Sequence, residues 1–318
     1  MIVEFIDMYR GYKEQKSSLS WSVESMCQIL TAEYGTKISV SGYYGFKKRP
    51  PSARSRADEV LKEAMVKIYE ENYFCYGVVK MWRELRRKKH KVARCTTERL
   101  MKDLGIVGKA RTKTKRTTRS SKNGRSAKDL VRRNFASDRP NALWVADFTY
   151  VSTQEGYCYV AFVVDVYARA IVGHCVSTRM NKDMVANAFH IAAFNRTRQG
   201  LGDFESLIHR NDKGSQYTSD DFVELLFRHG IKTSIGAVGC SFDNALAETI
   251  NGTYKNELIY NLGPWESYEH LNLETEKWIK WYNEKRINEY CDWQTPCEVE
   301  QLWYATGDDF RKGSKSER

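Results

Sequence analysis

The 318 residues predict an α/β protein built on a mixed five-stranded sheet with flanking helices. Three apolar, β-branched and aromatic runs follow one another at 142–151, 157–166 and 169–176, the first two joined by the turn Thr153-Gln-Glu-Gly156. From Asn181 onward, helical and strand patterns alternate. An Ala-rich helix over 181–195 precedes a short strand that ends before Asp212, and a helix over 219–229, a strand over 231–235 and a helix carrying Glu248 complete the pattern. Consecutive strands followed by alternation place helices on both faces of one sheet. A hydrophobic fraction of 42% is enough for such a core plus smaller modules.

The regions before the sheet read as three pieces. Residues 1–54 form an N-terminal helical segment, with Val23, Met26, Cys27, Leu30 and Tyr34 spaced for one amphipathic helix that stops at Gly35. Ser41 to Ser52 reads as a turn-rich basic connector, with Tyr43, Tyr44 and Phe46 packing against that helix rather than stacking on nucleotides. Residues 55–108 hold three helical patterns, at 57–71, 77–89 and 96–104, the last capped by Thr96 or Thr97. Short connections, with Arg99 and Lys102 beside Leu100 and Met101, suit a helix-turn-helix-like DNA-binding domain. Residues 109–136 are a basic linker. Eleven Lys or Arg between Lys109 and Arg133 face one acid, Asp129, so this stretch carries +10 of the net +11. Charge this dense, with few apolar residues between, favours an extended arm on a polyanion. Arg111, Lys113, Lys115, Arg116 and Arg119 are its candidate phosphate contacts.

The core spans 137–262, entered at Pro140 and Asn141, and residues 263–318 form a C-terminal helical extension and tail. In the extension, Leu271, Leu273, Trp278, Trp281 and Tyr282 make an aromatic-rich packing stripe over 266–286, and the charged residues from 307 are expected to be disordered.

Three carboxylates within the core carry the chemistry. Asp147 interrupts an apolar strand, where an ionised carboxylate is costly unless compensated. Asp212 follows a strand end, in Asn211-Asp-Lys-Gly-Ser-Gln-Tyr217, and Lys213 beside it is a candidate DNA contact. Glu248 lies on a helix that Asp243 can cap and whose Leu246, Ile250, Tyr254 and Leu258 repeat every four residues. Such acids can converge on hard divalent cations, Mg²⁺ or Mn²⁺ in its place, and two ions would activate the attacking oxygen and stabilise the leaving one in phosphodiester cleavage. Asn251 and Lys255 extend the Glu248 stripe. At 100° per residue Lys255 returns to within about 20° of Glu248, about 10.5 Å further along the axis, near a neighbouring phosphate. Asp165, His174 and His209 read as structural, Asp165 pairing with Arg169. The loop Gly239-Cys-Ser-Phe242 is a candidate hinge for the Glu248 helix.

At these residues the chain resembles the DDE core of IS-three family insertion-sequence transposases and their retroviral-integrase-like relatives. The resemblance rests on Trp144, Asp147, Thr149 and Tyr150; on His209, Asp212 and the Gly214-Ser-Gln-Tyr217 run; and on Asp243, Asn244, Ala245, Glu248, Asn251 and Lys255. It is strengthened by the 35 residues between Asp212 and Glu248. The chain departs from the family pattern at Ala146, Arg210, Asn211 and Asn288, none of them a proposed metal ligand.

The resemblance implies an RNase H-like fold, with Asp147, Asp212 and Glu248 as catalytic metal ligands for two ions. It further implies 3′-end cleavage and strand transfer on double-stranded DNA, acting on element ends and target. Expected partners are further copies of the chain on DNA and an upstream-frame (OrfA-type) product, and the expected setting is the nucleoid of a bacterial cytoplasm. An alternative is a catalytically silent DNA-binding regulator that needs fusion to that upstream product. A third reading is an RNase H-type nuclease.

Composition excludes other classes. No apolar run approaches the length of a membrane span, and the first residues lack a signal peptide's pattern, which points to a soluble intracellular protein. The eight cysteines show no zinc-ligand spacing and read as reduced packing residues.

Overall fold

The computed structural model describes residues 2–12, 21–109, 137–202, 204–211, 216–217, 219–235 and 245–313. The chain divides into two compact units, residues 1–60 and 61–318. In the first, α1 (Ile2–Tyr9), α2 (Val23–Tyr34) and α3 (Val40–Lys48) bury Ile6, Met26, Cys27 and Tyr43 together. Ser22 caps α2, and Gly35 ends it at a φ of 62° that glycine adopts without strain.

The stretch after Gly35 departs from the expected connector. It is helical because Ser39 accepts the Gly42 N–H at 3.0 Å, and because Tyr43 is buried with its hydroxyl donating to Asp7 at 2.6 Å. Tyr43 therefore packs as expected, whereas Tyr44 and Phe46 remain exposed.

Helix α4 (Ala53–Glu71) crosses the division between the units. In the second unit α5 (Val78–Arg87) and α6 (Arg94–Asp103) precede the sheet. Helix α6 starts two residues before the predicted 96, with Ala93 at its N-cap. Thr97 does not cap it but lies inside, donating its hydroxyl to the Ala93 carbonyl at 3.2 Å.

The sheet comprises β1 (Leu143–Thr153), β2 (Gly156–Asp165), β3 (Ala170–Ser177), β4 (Ile208–Asn211) and β5 (Lys232–Ile235), in the order β3-β2-β1-β4-β5. The first three strands are antiparallel, and β4 and β5 run parallel to β1. This is an RNase H-like sheet. Between the strands lie α7 (Lys182–Arg198) and α8 (Asp220–Arg228). After β5 come α9 (Ala245–Tyr254), a π-helical turn (Lys255–Ile259), α10 (Tyr260–Leu262), α11 (Tyr268–Glu284), α12 (Pro296–Thr306) and α13 (Phe310–Gly313).

Alternation along β1 divides the core. Leu143, Val145 and Val151 share one buried cluster with Ile250 and Tyr254 of α9 and with Leu271 and Trp278 of α11. Trp144 and Ala146 share the other with Phe189 of α7 and Phe222 of α8. Helix α7 lies so close to β3 that a Cβ on Gly173 would sit 2.2 Å from the Ala188 carbonyl oxygen, so only glycine fits there.

Met81, Leu85 and Leu100 of α5 and α6 join the first cluster, so these helices share the core of the sheet's α9 face. Residues 307–313 are ordered, contrary to the disorder expected there. Phe310 is buried against Tyr167 and Tyr290, which ties α13 down. Among the described residues, no helix is long and apolar enough to cross a membrane.

Candidate active site and its buried supports

The strand β1 presents Asp147 half-buried on the face that α9 covers. Its Oδ1 accepts the Phe148 N–H at 2.9 Å, and its Oδ2 accepts the Asn251 side-chain amide at 2.9 Å. Asn251 is itself buried and also reaches the Phe148 carbonyl, at 3.4 Å. Glu248 precedes Asn251 by three residues, one turn or about 4.5 Å along the same face of α9, and is exposed. Helix α9 therefore lies against β1 with its acid one turn from the bond to Asp147.

Lys255 follows Asn251 by four residues and places its ammonium 4.5 Å from the centre of the Tyr150 ring. Burial pulls its pKa below the ordinary lysine value, while Asp147 pulls the other way. Asp212 and Lys213 lie outside the described residues, as do the basic linker with Arg111, Lys113, Lys115, Arg116 and Arg119, the Gly239–Phe242 hinge and the Asp243 cap. Strand β4 ends at Asn211, immediately before Asp212, and runs beside β1 with Arg210 opposite Val145. On α6, Leu100 and Met101 are buried, while Lys102 is exposed and Arg99 is half-exposed, 3.6 Å from Asp103.

Among the described residues, no three Asp, Glu, His or Cys side chains gather as a metal site. The donors around Asp147 nevertheless suit a hard cation. They are oxygens, without thiolate or imidazole, and the Oδ1 of Asn251 is a buried acceptor with no hydrogen-bond partner among the described residues.

A second set of ionisable groups is buried and ion-paired. Asp165, opposite Trp144 on β2, accepts the backbone N–H of Asn141 at 2.7 Å and of Tyr167 at 3.0 Å. Its ionic partner is Arg196 at 3.2 Å, not the expected Arg169. Burial raises its carboxyl to about 6 despite that guanidinium. Arg196 is shared with Glu300 of α12.

Glu257, in the π-helical turn, takes both Nε and Nη2 of Arg286 at 2.7 Å and Lys80 of α5 at 3.4 Å. Burial alone would raise the Glu257 pKa, but Arg286 and Lys80 outweigh it and hold the carboxyl below its usual range. Sequence reading missed this cluster because 177 residues separate Lys80 from Glu257, and no local pattern joins them.

His209 is fully buried between Phe189 and Phe222, and burial lowers its pKa to about 4. It is neutral at physiological pH, as a structural histidine should be. The described cysteines are free thiols.

Comparison with known proteins places these features in a family. The Integrase core domain profile matches residues 137–241, a second profile of that description matches 229–296, and an HTH-like domain profile matches 55–114. A candidate transposase for insertion sequence element IS986/IS6110 of Mycobacterium tuberculosis is 47% identical over 268 residues, 84% of this chain and 96% of the relative. The transposase for insertion sequence element IS629 of Shigella sonnei is 43% identical over 255 residues, 80% of this chain and 83% of that protein. Among solved structures, the HTLV-2 integrase catalytic core domain in complex with magnesium aligns with a TM-score of 0.37 at 19% identity, covering 51% of this chain and 97% of that one.

Proposed function

The chain belongs to the insertion-sequence transposases with an integrase core and an HTH-like domain, and from that premise we propose that it cuts and joins DNA through a DDE site made by Asp147, Asp212 and Glu248. The observation that carries this reading is the bond from Asn251 to Asp147, because it fixes the helix bearing Glu248 against the strand bearing Asp147. Strand β4 supports the third position, since it leads directly to Asp212 beside β1.

Asp147, Asp212 and Glu248 would hold two magnesium-class ions, which when bound supply activation of the attacking oxygen and stabilisation of the leaving oxygen. The protein's own groups do the rest. The Phe148 N–H and the Asn251 amide fix the direction of the Asp147 carboxylate. Glu248 stands exposed on α9, one turn from Asn251. Lys255 offers a positive charge to a neighbouring phosphate, and Lys213 and the 109–136 arm extend that contact along the duplex. Water is the first nucleophile and leaves a 3′-hydroxyl at the element end. That hydroxyl is the second nucleophile, and neither step forms a bond to the protein.

The test is nicking and strand transfer on labelled duplex ends with Mg²⁺. Asp147→Ala, Asp212→Ala and Glu248→Ala should each reduce both steps at least a thousandfold, about 4 kcal/mol of barrier, while end binding persists. Nicking retained by any of the three overturns the assignment, and cutting confined to the RNA of hybrids would make the chain an RNase H-type nuclease instead.

A further inference from the structure

A cavity of about 390 Å³ opens at the far edge of α9, lined among others by Thr249 and Thr253 of α9, Arg286 after α11, Tyr290, and Arg169 from the turn between β2 and β3. Thr249 is the neighbour of Glu248, so this cavity flanks the candidate active site along the same helix.

Three observations say that the cavity is built to hold something. Arg169 adopts a φ of 57°, a left-handed conformation that a side chain with a Cβ takes only when its surroundings hold it there. Its guanidinium carbon lies over the Tyr290 ring, 3.7 Å from the centre. Its Nε and the Tyr290 hydroxyl are both buried with no hydrogen-bond partner among the described residues, which is costly unless a ligand supplies acceptors.

Charge narrows the ligand class. Asp165, the acid nearest Arg169 in sequence, is committed to Arg196, and Arg169 makes no ion pair among the described residues. Arg286 also lines the cavity, but its Nε and Nη2 are taken by Glu257, which leaves Arg169 as the lining cation without an ionic partner among the described residues. The acid in the lining, Glu289, is exposed. The groups offered inward are thus mostly donors on cations and hydroxyls, which is the chemistry that recognises a phosphate.

We propose that this cavity binds a backbone phosphodiester of the DNA, with Arg169 as its principal contact and Tyr290 and Thr249 as supporting donors. The proposal rests on the DNA-processing reading above and adds a second anchoring point on the opposite edge of α9 from Asn251 and Lys255. DNA held on both edges would fix the scissile phosphate relative to Glu248. A free nucleotide offers similar oxygens but has no reason to sit beside the acid of a strand-cutting site.

The test compares the full-length protein with Arg169→Gly and Arg169→Lys, using a short fluorescent DNA duplex in EDTA over a range of salt concentrations. Glycine removes the charge and relieves the left-handed backbone, so thermal stability should hold or rise. Affinity should fall about tenfold, and the slope of log K against log salt should shrink by about 0.9, the signature of one lost phosphate contact. Lysine should keep the slope and part of the affinity. An unchanged slope in Arg169→Gly overturns the proposal, as does competition by a nucleoside monophosphate at concentrations well below those that screen charge.

Should Arg169→Gly not fold, Tyr290→Phe must still weaken binding with its slope intact, and full affinity there overturns the proposal. Binding in EDTA is independent of cleavage. Loss of this site would therefore leave metal-dependent nicking to be judged separately.

Discussion

Glu248 and Glu257 lie nine residues apart on one continuous helical segment and have opposite fates. Glu248 is exposed, one turn from the amide that holds Asp147. Glu257 is buried and locked by Arg286 and Lys80, joining the end of the α9 segment to α5 and to the residues that follow α11. The carboxylate proposed to meet a cation and a substrate phosphate is left open to solvent. One that must hold helices together is enclosed with its counter-charges. The π-helical turn at 255–259 begins after Glu248 and contains Glu257. Its wider winding shifts the residues after Tyr254 relative to a regular helix, and Glu257 falls within that turn, facing the protein interior.

The strongest way to break this comparison is to remove each acid in turn. Glu257→Ala leaves Arg286 and Lys80 buried without their partner and should cost about 3–5 kcal/mol in denaturant unfolding. Glu248→Ala, at an exposed position, should change stability by less than about 0.5 kcal/mol while abolishing activity. Equal losses of stability in the two variants would erase the distinction.

Acid sharpens the same contrast between enclosed and open groups. His209 has a folded pKa of about 4, below its ordinary 6.5, so between these values the unfolded chain binds a proton that the folded chain refuses. Its contribution is complete above about pH 6.5 and is lost as pH falls toward 4, on the order of 3 kcal/mol in all. Asp165 acts with the opposite sign. Its carboxyl, raised to about 6, takes up a proton in the folded state first, so lowering the pH favours folding through that group. The wild-type curve is therefore flattened, and the measurement that matters is the difference from His209→Gln, which should be the less acid-sensitive of the two. A difference that does not change between pH 7 and pH 4.5 contradicts the buried neutral histidine.

The smallest expected effect belongs to the open side. Lys255→Met keeps an unbranched side chain but removes the charge that lies over Tyr150, and should weaken duplex binding about fivefold to tenfold, with a salt slope lower by about 0.9. No effect on binding would mean that Lys255 supports Asp147 electrostatically and does not touch DNA.

Much of this was legible along the chain because it is local. The five strands, the α9 pattern of Leu246, Ile250 and Tyr254 and the stop at Gly35 each follow from side-chain periodicity or backbone freedom over a few residues. The errors arose where a distant partner decided. Residues 41–48 looked like a connector until Asp7 supplied a hydrogen bond for Tyr43. The tail after 307 looked disordered until Tyr167 and Tyr290 received Phe310. Arg169 looked like the partner of Asp165 because the two are close in sequence, yet Arg196 reaches that carboxylate from α7.

The order of residues alone thus determined the family and most element types, and singled out the three acids as candidates, because periodicity and motif spacing are properties of neighbours. Tertiary structure alone decided that Asn251 turns to Asp147, that Lys80 and Arg286 enclose Glu257, and that Arg169 faces a cavity. These depend on helices and strands crossing at particular distances, and burial and pairing of charge are settled only when segments far apart in the chain exclude water between them.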